Sequence, residues 1–401
     1  MMKIESKEAL KPLNQEQELV VFSGHAVPKM RYRFGADGKV QQVSVEHPWS
    51  QADHAHQTVV TPGLVDIQVN GFNGVDFNSP GLTAEKLDSA LMAMLETGVT
   101  RCLPTLISAE EETLCQLLSA LDHAVQQSQL APYMVMGYHI EGPFLSPEEG
   151  FVGAHPKQAM IAGSKRLVDK LQSLITKPIL LMTVAPEIEG VLELIPYLKA
   201  QGITVALGHT AAERQTIQQA VNAGALLSTH LGNGLAHQLH KVDNPLMTQL
   251  AEERLFASFI ADGHHVKPEL LKLWLSAKTP EHSILTTDAT AAAGSSQVPG
   301  IFHLGDCEIE LCADGVVREP GSPYFAGSSA RMDRMVNDIM RWCGYDLSTI
   351  LQMTRHNPLY LLSQTKTLPV QGDDAEFLHW VITPDGPRLT TVYIGGWTIH
   401  L

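Results

Sequence analysis

A chain of 401 residues, 44% of them hydrophobic, has enough apolar surface for a sizeable core, and its length suits two or three structural units or one barrel with additions. A formal net charge of −15 excludes nucleic acid and anionic membrane as expected partners, since both would repel it, although a local positive pocket could still take a small anionic substrate. Five scattered cysteines (Cys102, Cys115, Cys307, Cys312, Cys343) form no CxxC pair, which excludes a disulfide framework or thiolate zinc site and fits reduced thiols.

The chain opens on MMKIESKEALKPLNQEQEL (1–19), polar and without the apolar run of a signal peptide. No uninterrupted apolar stretch reaches about 18 residues, so no membrane span is expected and the protein is read as soluble and cytoplasmic. Residues 18–60 alternate with period two around a turn signal at Asp37-Gly38. Eight apolar runs rich in β-branched residues follow, at 59–71, 100–108, 133–143, 178–187, 203–210, 225–233, 255–265 and 283–290. Continuous rather than alternating hydrophobicity marks strands buried on both faces. Between them lie helix-like stretches such as 82–98, 166–175 and 211–224, with Gly98 and Gly224 as stops. Residues 375–401 return to period-two alternation around Asp385-Gly386.

Eight alternations of buried strand and helix predict an α/β fold, a closed (β/α)8 barrel over 62–361. An open doubly wound sheet is disfavoured, because no glycine-rich phosphate loop follows the first strand. The two β-rich ends, 1–61 and 362–401, are expected to build one small β-sandwich.

The polar residues gather where the strands end. Run three closes on His139 and Glu141, run five on Gly208-His209-Thr210, and run six on Thr229-His230 with Asn233. Run seven closes on Asp262, His264 and His265, and run eight on Thr287-Asp288. A carboxylate and two imidazoles converging on one barrel mouth suit a divalent cation with a position left for water. Asp288 could take that water's proton and pass it to a leaving amine. Each residue alone has a plainer role: a hydrogen-bonded structural histidine, a Glu141 paired with lysine, an Asp288 capping a helix, an Asn233 shaping a turn. Their coincidence at one end of one barrel is what points to a site.

The strings PGLVDIQVNG (62–71), LPTLIS (103–108), HIEGPFLSPEEGFVGAH (139–155), TVAPE (183–187), GHT (208–210), THLGNG (229–234), IADGHHV (260–266), TTDATAAAG (286–294) and AGSS (326–329) occur in an order that resembles the N-acetylglucosamine-6-phosphate deacetylases of the amidohydrolase superfamily. NPLYLL (357–362) is similar to that family's return to its small sandwich domain. The resemblance implies one divalent metal ion per subunit, zinc being the first expectation, held by Glu141, His209 and His230, with Asp288 as general acid/base. It implies that His155 helps hold the acetyl carbonyl or sugar hydroxyls, that His265 rather than His264 touches substrate, and that the turn at Asn233 and Gly234 faces the sugar phosphate. Two departures stand out. Gln68 and Asn70 replace the His-x-His of many amidohydrolases, which implies a single metal. Lys241 stands where the family places a phosphate-gripping arginine, and is either a point-charge contact or a solvated surface lysine. The implied substrate is a small-molecule amino sugar phosphate and the implied assembly a homodimer, with Lys241 reaching across. The alternatives are a deacetylase of N-acetylgalactosamine 6-phosphate or of an unphosphorylated N-acetyl sugar, and a non-catalytic sugar-sensing barrel.

Overall fold

The chain is seen in a computed structural model that describes residues 10–12, 16–24, 29–46, 58–294, 298–364 and 366–401. Parts of the expected flanks, residues 1–9, 13–15, 25–28 and 47–57, therefore lie outside the described residues. Eight parallel strands follow in chain order around one sheet: β1 (Leu64–Val69), β2 (Val99–Leu106), β3 (Tyr138–Glu141), β4 (Ile179–Val184), β5 (Thr204–Leu207), β6 (Leu227–Ser228), β7 (Phe256–Phe259) and β8 (Ser283–Leu285). Every one lies within an apolar run of the sequence or a residue from its edge. The ring closes where β1 and β8 run out. Val69 bridges Ala289 in parallel, the Asp288 amide donates to Gln68 O (2.9 Å), and the Asn70 amide to Ala289 O (2.7 Å). Asp66 on β1 fastens the same seam, its buried carboxylate accepting from the Thr286 hydroxyl (2.7 Å) and the Thr287 amide (3.2 Å).

Strand alternation explains what fills the ring. Val65, Ile67, Leu103, Leu181, Ala206 and Ile284 point inward and pack together, while Tyr138, Ile140, Met182, Val184, Val205 and Leu207 face the surrounding helices. His139 and Glu141 share the inward parity of β3. In β1 the register against β2 shifts between Asp66 and Val69. Such an irregularity re-aims side chains, and it turns Gln68 and Asn70 into the mouth although Val65 and Ile67 fill the interior. The helix-like stretches of the sequence form Ala84–Leu95, Lys165–Ser173 and Arg214–Ala223; Gly224 (φ +124°) caps the last of these, its amide on Ala220 O.

Three features refine the sequence reading. The first apolar run, 59–71, is two strands. Thr58–Pro62 pairs with the terminal sheet and Leu64–Val69 with the barrel, and the chain passes between them at Gly63, where a Cβ would lie 1.8 Å from Thr100 Oγ1. A three-stranded meander, Gly300–Leu304, Cys307–Leu311 and Val317–Arg318, stands between β8 and the helix Met332–Cys343 and was not foreseen. NPLYLL is more than a connector, for Leu359, Leu361 and Leu362 join the interior apolar cluster. Asn357 Nδ2 anchors the plug on Pro280 O (2.7 Å) and Ser283 O (2.6 Å).

Both ends of the chain join in one eight-stranded sheet, ordered Leu10–Pro12, Trp397–His400, Gly386–Ile394, Glu376–Thr383, Thr58–Pro62, Gln17–Val21, Met30–Phe34, Val40–Val45. It wraps back on itself, so that Lys39 bridges Asp374 and Phe34 meets Phe377 and Tyr393 across a small core. A buried ion cluster ties this sheet to the barrel. Glu376 accepts from Arg355 Nη1 (2.6 Å) and Nη2 (3.1 Å) and from Arg101 Nη2 (2.6 Å), while Arg355 also donates to Gly63 O (2.8 Å). Burial works to raise the Glu376 carboxyl, but Arg355 and Arg101 outweigh it and hold it at about 2. A depressed carboxyl contributes stability that is lost as pH falls from its ordinary 4.5 through about 2. Arg355→Met, which removes the fully buried partner of Glu376 and leaves it only the partly exposed Arg101 guanidinium, is expected to cost about 3 kcal/mol in urea unfolding at pH 7, and to cost much less near pH 2. Equal loss at both pH values would contradict the ion-pair account. No helix among the described residues is long and apolar enough to cross a membrane, and all five cysteines are free.

Candidate active site

Glu141 ends β3 with 2% of its surface exposed. Its Oε1 faces His230 Nε2 at 3.0 Å and His209 Nε2 at 3.4 Å, and His155 Nε2 stands 3.7 Å from Oε2. Gln68 Nε2 donates to Oε1 (3.0 Å), and Asn70 Nδ2 donates to Asp288 Oδ1 (2.7 Å). Thus the two residues in place of a His-x-His pair hold the two carboxylates by their amide N–H groups. Glu141, His155, His209, His230, Asn70 and Asp288 line one pocket of about 520 Å³, with Asn233, Gly234 and His265. Burial opposes ionisation of Glu141, yet the imidazoles of His209, His230 and His155 gathered around it prevail and hold its carboxyl well below the usual range. Burial raises the Asp288 carboxyl to about 6.

Backbone strain collects here. His209 (φ +49°), His230 (φ +30°) and Asp288 (φ +50°) adopt left-handed conformations just beyond β5, β6 and β8, a region that residues with a Cβ occupy sparsely and that costs on the order of 1–3 kcal/mol each. Glu187 holds the His209 turn by accepting from Thr210 Oγ1 and the Ala211 amide, both at 2.6 Å. The His209 ring is flanked by two glycines, for a Cβ at Gly153 would approach Cε1 to 2.8 Å and a Cβ at Gly234 would approach Nδ1 to 2.7 Å. Gly234 (φ +60°) is therefore a spacer for the imidazole as well as part of the turn. Gly234→Ala is expected to push the ring aside and weaken metal affinity about 10–100-fold, the scale of an outer-shell change, as read by chelator competition. Unaltered affinity would exclude the spacer role.

Fixed partners decide which ring nitrogens can bind a cation. His209 Nδ1 lies 2.8 Å from Phe151 O. A carbonyl only accepts, so Nδ1 carries the proton and Nε2 turns a lone pair toward the Glu141 carboxylate. Lone pair against anion is repulsive unless a cation lies between them, and this donor set fits a divalent metal. His155 is the reverse case. The Ser108 amide donates to its Nδ1 (3.2 Å), so the neutral ring presents Nε2–H to the pocket, and burial keeps it neutral by lowering its pKa to about 3. Ligand atoms of Glu141, His155 and His209 lie within 4.8 Å of one another. Proximity alone would group His155 with the ligands; the Ser108 contact makes it a hydrogen-bond donor.

Of the remaining residues singled out from sequence, His265 lines the pocket with Nδ1 on Asp262 Oδ2 (2.7 Å) and its ring 4.8 Å from Phe325, while His264 is exposed. Asn233 Nδ2 donates to His230 O (3.2 Å). Lys241 is exposed and does not line the pocket, and among the described residues no lysine or arginine does. Sequence reasoning missed Ser108, Gly153, Leu304 and Phe325. Leu304 belongs to the meander, whose alternation around Gly305-Asp306 and Asp314-Gly315 carried the same signal as the flanks, and Phe325 is bridged to its last strand at Arg318.

The model of the amidohydrolase family matches residues 59–359. The chain is 32% identical over 353 residues to the rat N-acetylglucosamine-6-phosphate deacetylase, covering 84% of this chain and 82% of that one. The chain belongs to the amidohydrolase family, in its N-acetylglucosamine-6-phosphate deacetylase branch. This amidohydrolase is also 30% identical over 304 residues to the N-acetylgalactosamine-6-phosphate deacetylase of Escherichia coli O157:H7, covering 76% of this chain and 78% of that one. Its structure is similar to that of a mutant N-acetyl-D-glucosamine-6-phosphate deacetylase from Mycobacterium smegmatis in complex with N-acetyl-D-glucosamine-6-phosphate, with a TM-score of 0.79, 26% identity, and 96% and 98% of the two chains covered. An amidohydrolase of this branch is a deacetylase, and the Glu141 cluster is a candidate metal site of the kind such hydrolysis uses.

Proposed function

We propose that this deacetylase hydrolyses the acetamide of N-acetylglucosamine 6-phosphate to acetate and glucosamine 6-phosphate, using one divalent cation, zinc, held by Glu141, His209 and His230. The observation that carries the reading is the meeting of Glu141, His209, His230 and Asp288 in one buried pocket. When bound, the cation would polarise the acetyl carbonyl and acidify a water. Asp288 takes the proton of the attacking water, and His155 Nε2–H donates to the carbonyl oxygen as its negative charge grows. Asp288 then gives its proton to the departing nitrogen as the C–N bond breaks. His265, with Nδ1 on Asp262, offers Nε2 as acceptor to a sugar hydroxyl, and the turn at Asn233 and Gly234 faces the phosphate. Gln68 and Asn70 support the single-metal count, because their amides donate to the carboxylates instead of ligating.

Residues 62–361 form the catalytic unit and 1–61 with 362–401 the accessory β unit. In a homodimer the exposed Lys241 would meet the phosphate held by the neighbouring subunit. Free thiols support a cytoplasmic setting. The absence of Lys and Arg from the described pocket lining favours a second reading, an unphosphorylated N-acetyl sugar as substrate. Similarity to the Escherichia coli relative supports testing the galactosamine epimer as well. Steady-state kinetics on N-acetylglucosamine and N-acetylgalactosamine, each with and without a 6-phosphate, decides. The highest kcat/KM is expected on N-acetylglucosamine 6-phosphate, with one acetate released per amine; a higher value on an unphosphorylated sugar would sink the phosphate assignment.

A further inference from the structure

We propose that Asn70 is a substrate-contacting residue whose side-chain oxygen accepts the N–H of the scissile acetamide while its NH2 group fixes Asp288. This deepens the deacetylase reading and rests on it. Asn70 follows β1, lines the pocket and is 1% exposed. At 2.7 Å from Asp288 Oδ1, the amide must turn its NH2 toward that oxygen, because an ionised carboxylate only accepts. Its orientation is therefore fixed, and Oδ1 faces away from Asp288. That oxygen is buried and finds no hydrogen-bond partner in the protein. Leaving a buried acceptor unpaired is costly, and such atoms at a pocket wall await a donor from a ligand. The scissile acetamide brings one, its N–H.

The arrangement serves the reaction at its hardest point. For the C–N bond to break, the nitrogen must receive the proton that Asp288 took from water. One amide side chain with one arm on the acid and the other on the N–H sets donor and receiver side by side. The backbone of Asn70 is itself bonded into the seam with Ala289 (2.7 Å), so this bridge does not drift. The acceptor also distinguishes an amide from an ester, which has no N–H to give.

The test compares N-acetylglucosamine 6-phosphate with its analogue bearing a 2-O-acetyl ester in place of the acetamide. Asn70→Ala is expected to lower kcat/KM on the amide about tenfold more than on the ester, at unchanged metal content. Asn70→Asp keeps an acceptor oxygen but loses the NH2 group, so it should lower both substrates to a similar degree; it also serves if the alanine variant does not fold. Equal losses in Asn70→Ala on amide and ester, with the wild type active, would overturn the N–H contact and leave the deacetylase reading standing. A wild type inert toward both substrates would sink the deacetylase reading and the role of Asn70 together.

Discussion

Asp288→Asn is expected to lower turnover by about 10²–10⁴-fold, the range for loss of a general acid/base, while the protein retains its full complement of metal. The carboxyl is held by Asn70 just beyond the last strand, while the imidazoles of His209 and His230 face Glu141 in the same pocket. Asparagine is close to isosteric and tolerates the left-handed backbone that residue 288 adopts (φ +50°). It also removes an ionised group that burial and the Glu141 charge both disfavour. Chelator-treated Asn variant should therefore melt no lower than chelator-treated wild type. Kinetics with acetate detection and elemental analysis of the same preparation give the two readouts. Metal lost in step with activity would show that Asp288 is a ligand rather than a proton carrier.

The second large effect separates the histidines. His209→Ala is expected to purify without stoichiometric metal and to show no rise in Tm when zinc is added, whereas His155→Ala should bind metal and be stabilised by it as wild type is, yet turn over slowly. Binding to the native state alone raises stability by RT ln(1 + [L]/Kd), so the thermal shift reports the site directly. The contrast follows from two fixed partners, the Phe151 carbonyl behind His209 and the Ser108 amide behind His155. Loss of the shift in His155→Ala, or its persistence in His209→Ala, would reverse the assignment.

Much of this architecture is written in hydrophobic pattern. The eight apolar runs needed no partner to be legible, because strands buried on both faces must be apolar on both. The site was legible only as a set of strand endings, and what the pattern could not convey is instructive. Simple alternation along β1 would send Gln68 to the face opposite Ile67's inward one only if the register were regular; the shift between Asp66 and Val69 is a property of pairing with β2. Which nitrogen of His155 carries its proton depends on Ser108, 47 residues away in sequence. The left-handed turns at His209, His230 and Asp288 occur at residues without glycine's freedom, so composition gives no sign of them. The meander at 300–318 did carry a readable signal, but a strand-helix rhythm leaves no slot for three antiparallel strands between the eighth strand and its helix.

The seam between the first and last strands has a consequence for how the molecule comes into being. Gln68 and Asn70 emerge early in synthesis and Asp288 more than two hundred residues later, yet the proton carrier is held only where these ends of the ring meet. A nascent or clipped chain that stops short of the eighth strand lacks Asp288 and so has nothing to move a proton. Completion of the circle and the onset of chemistry are one event, so an incomplete chain is inert by construction.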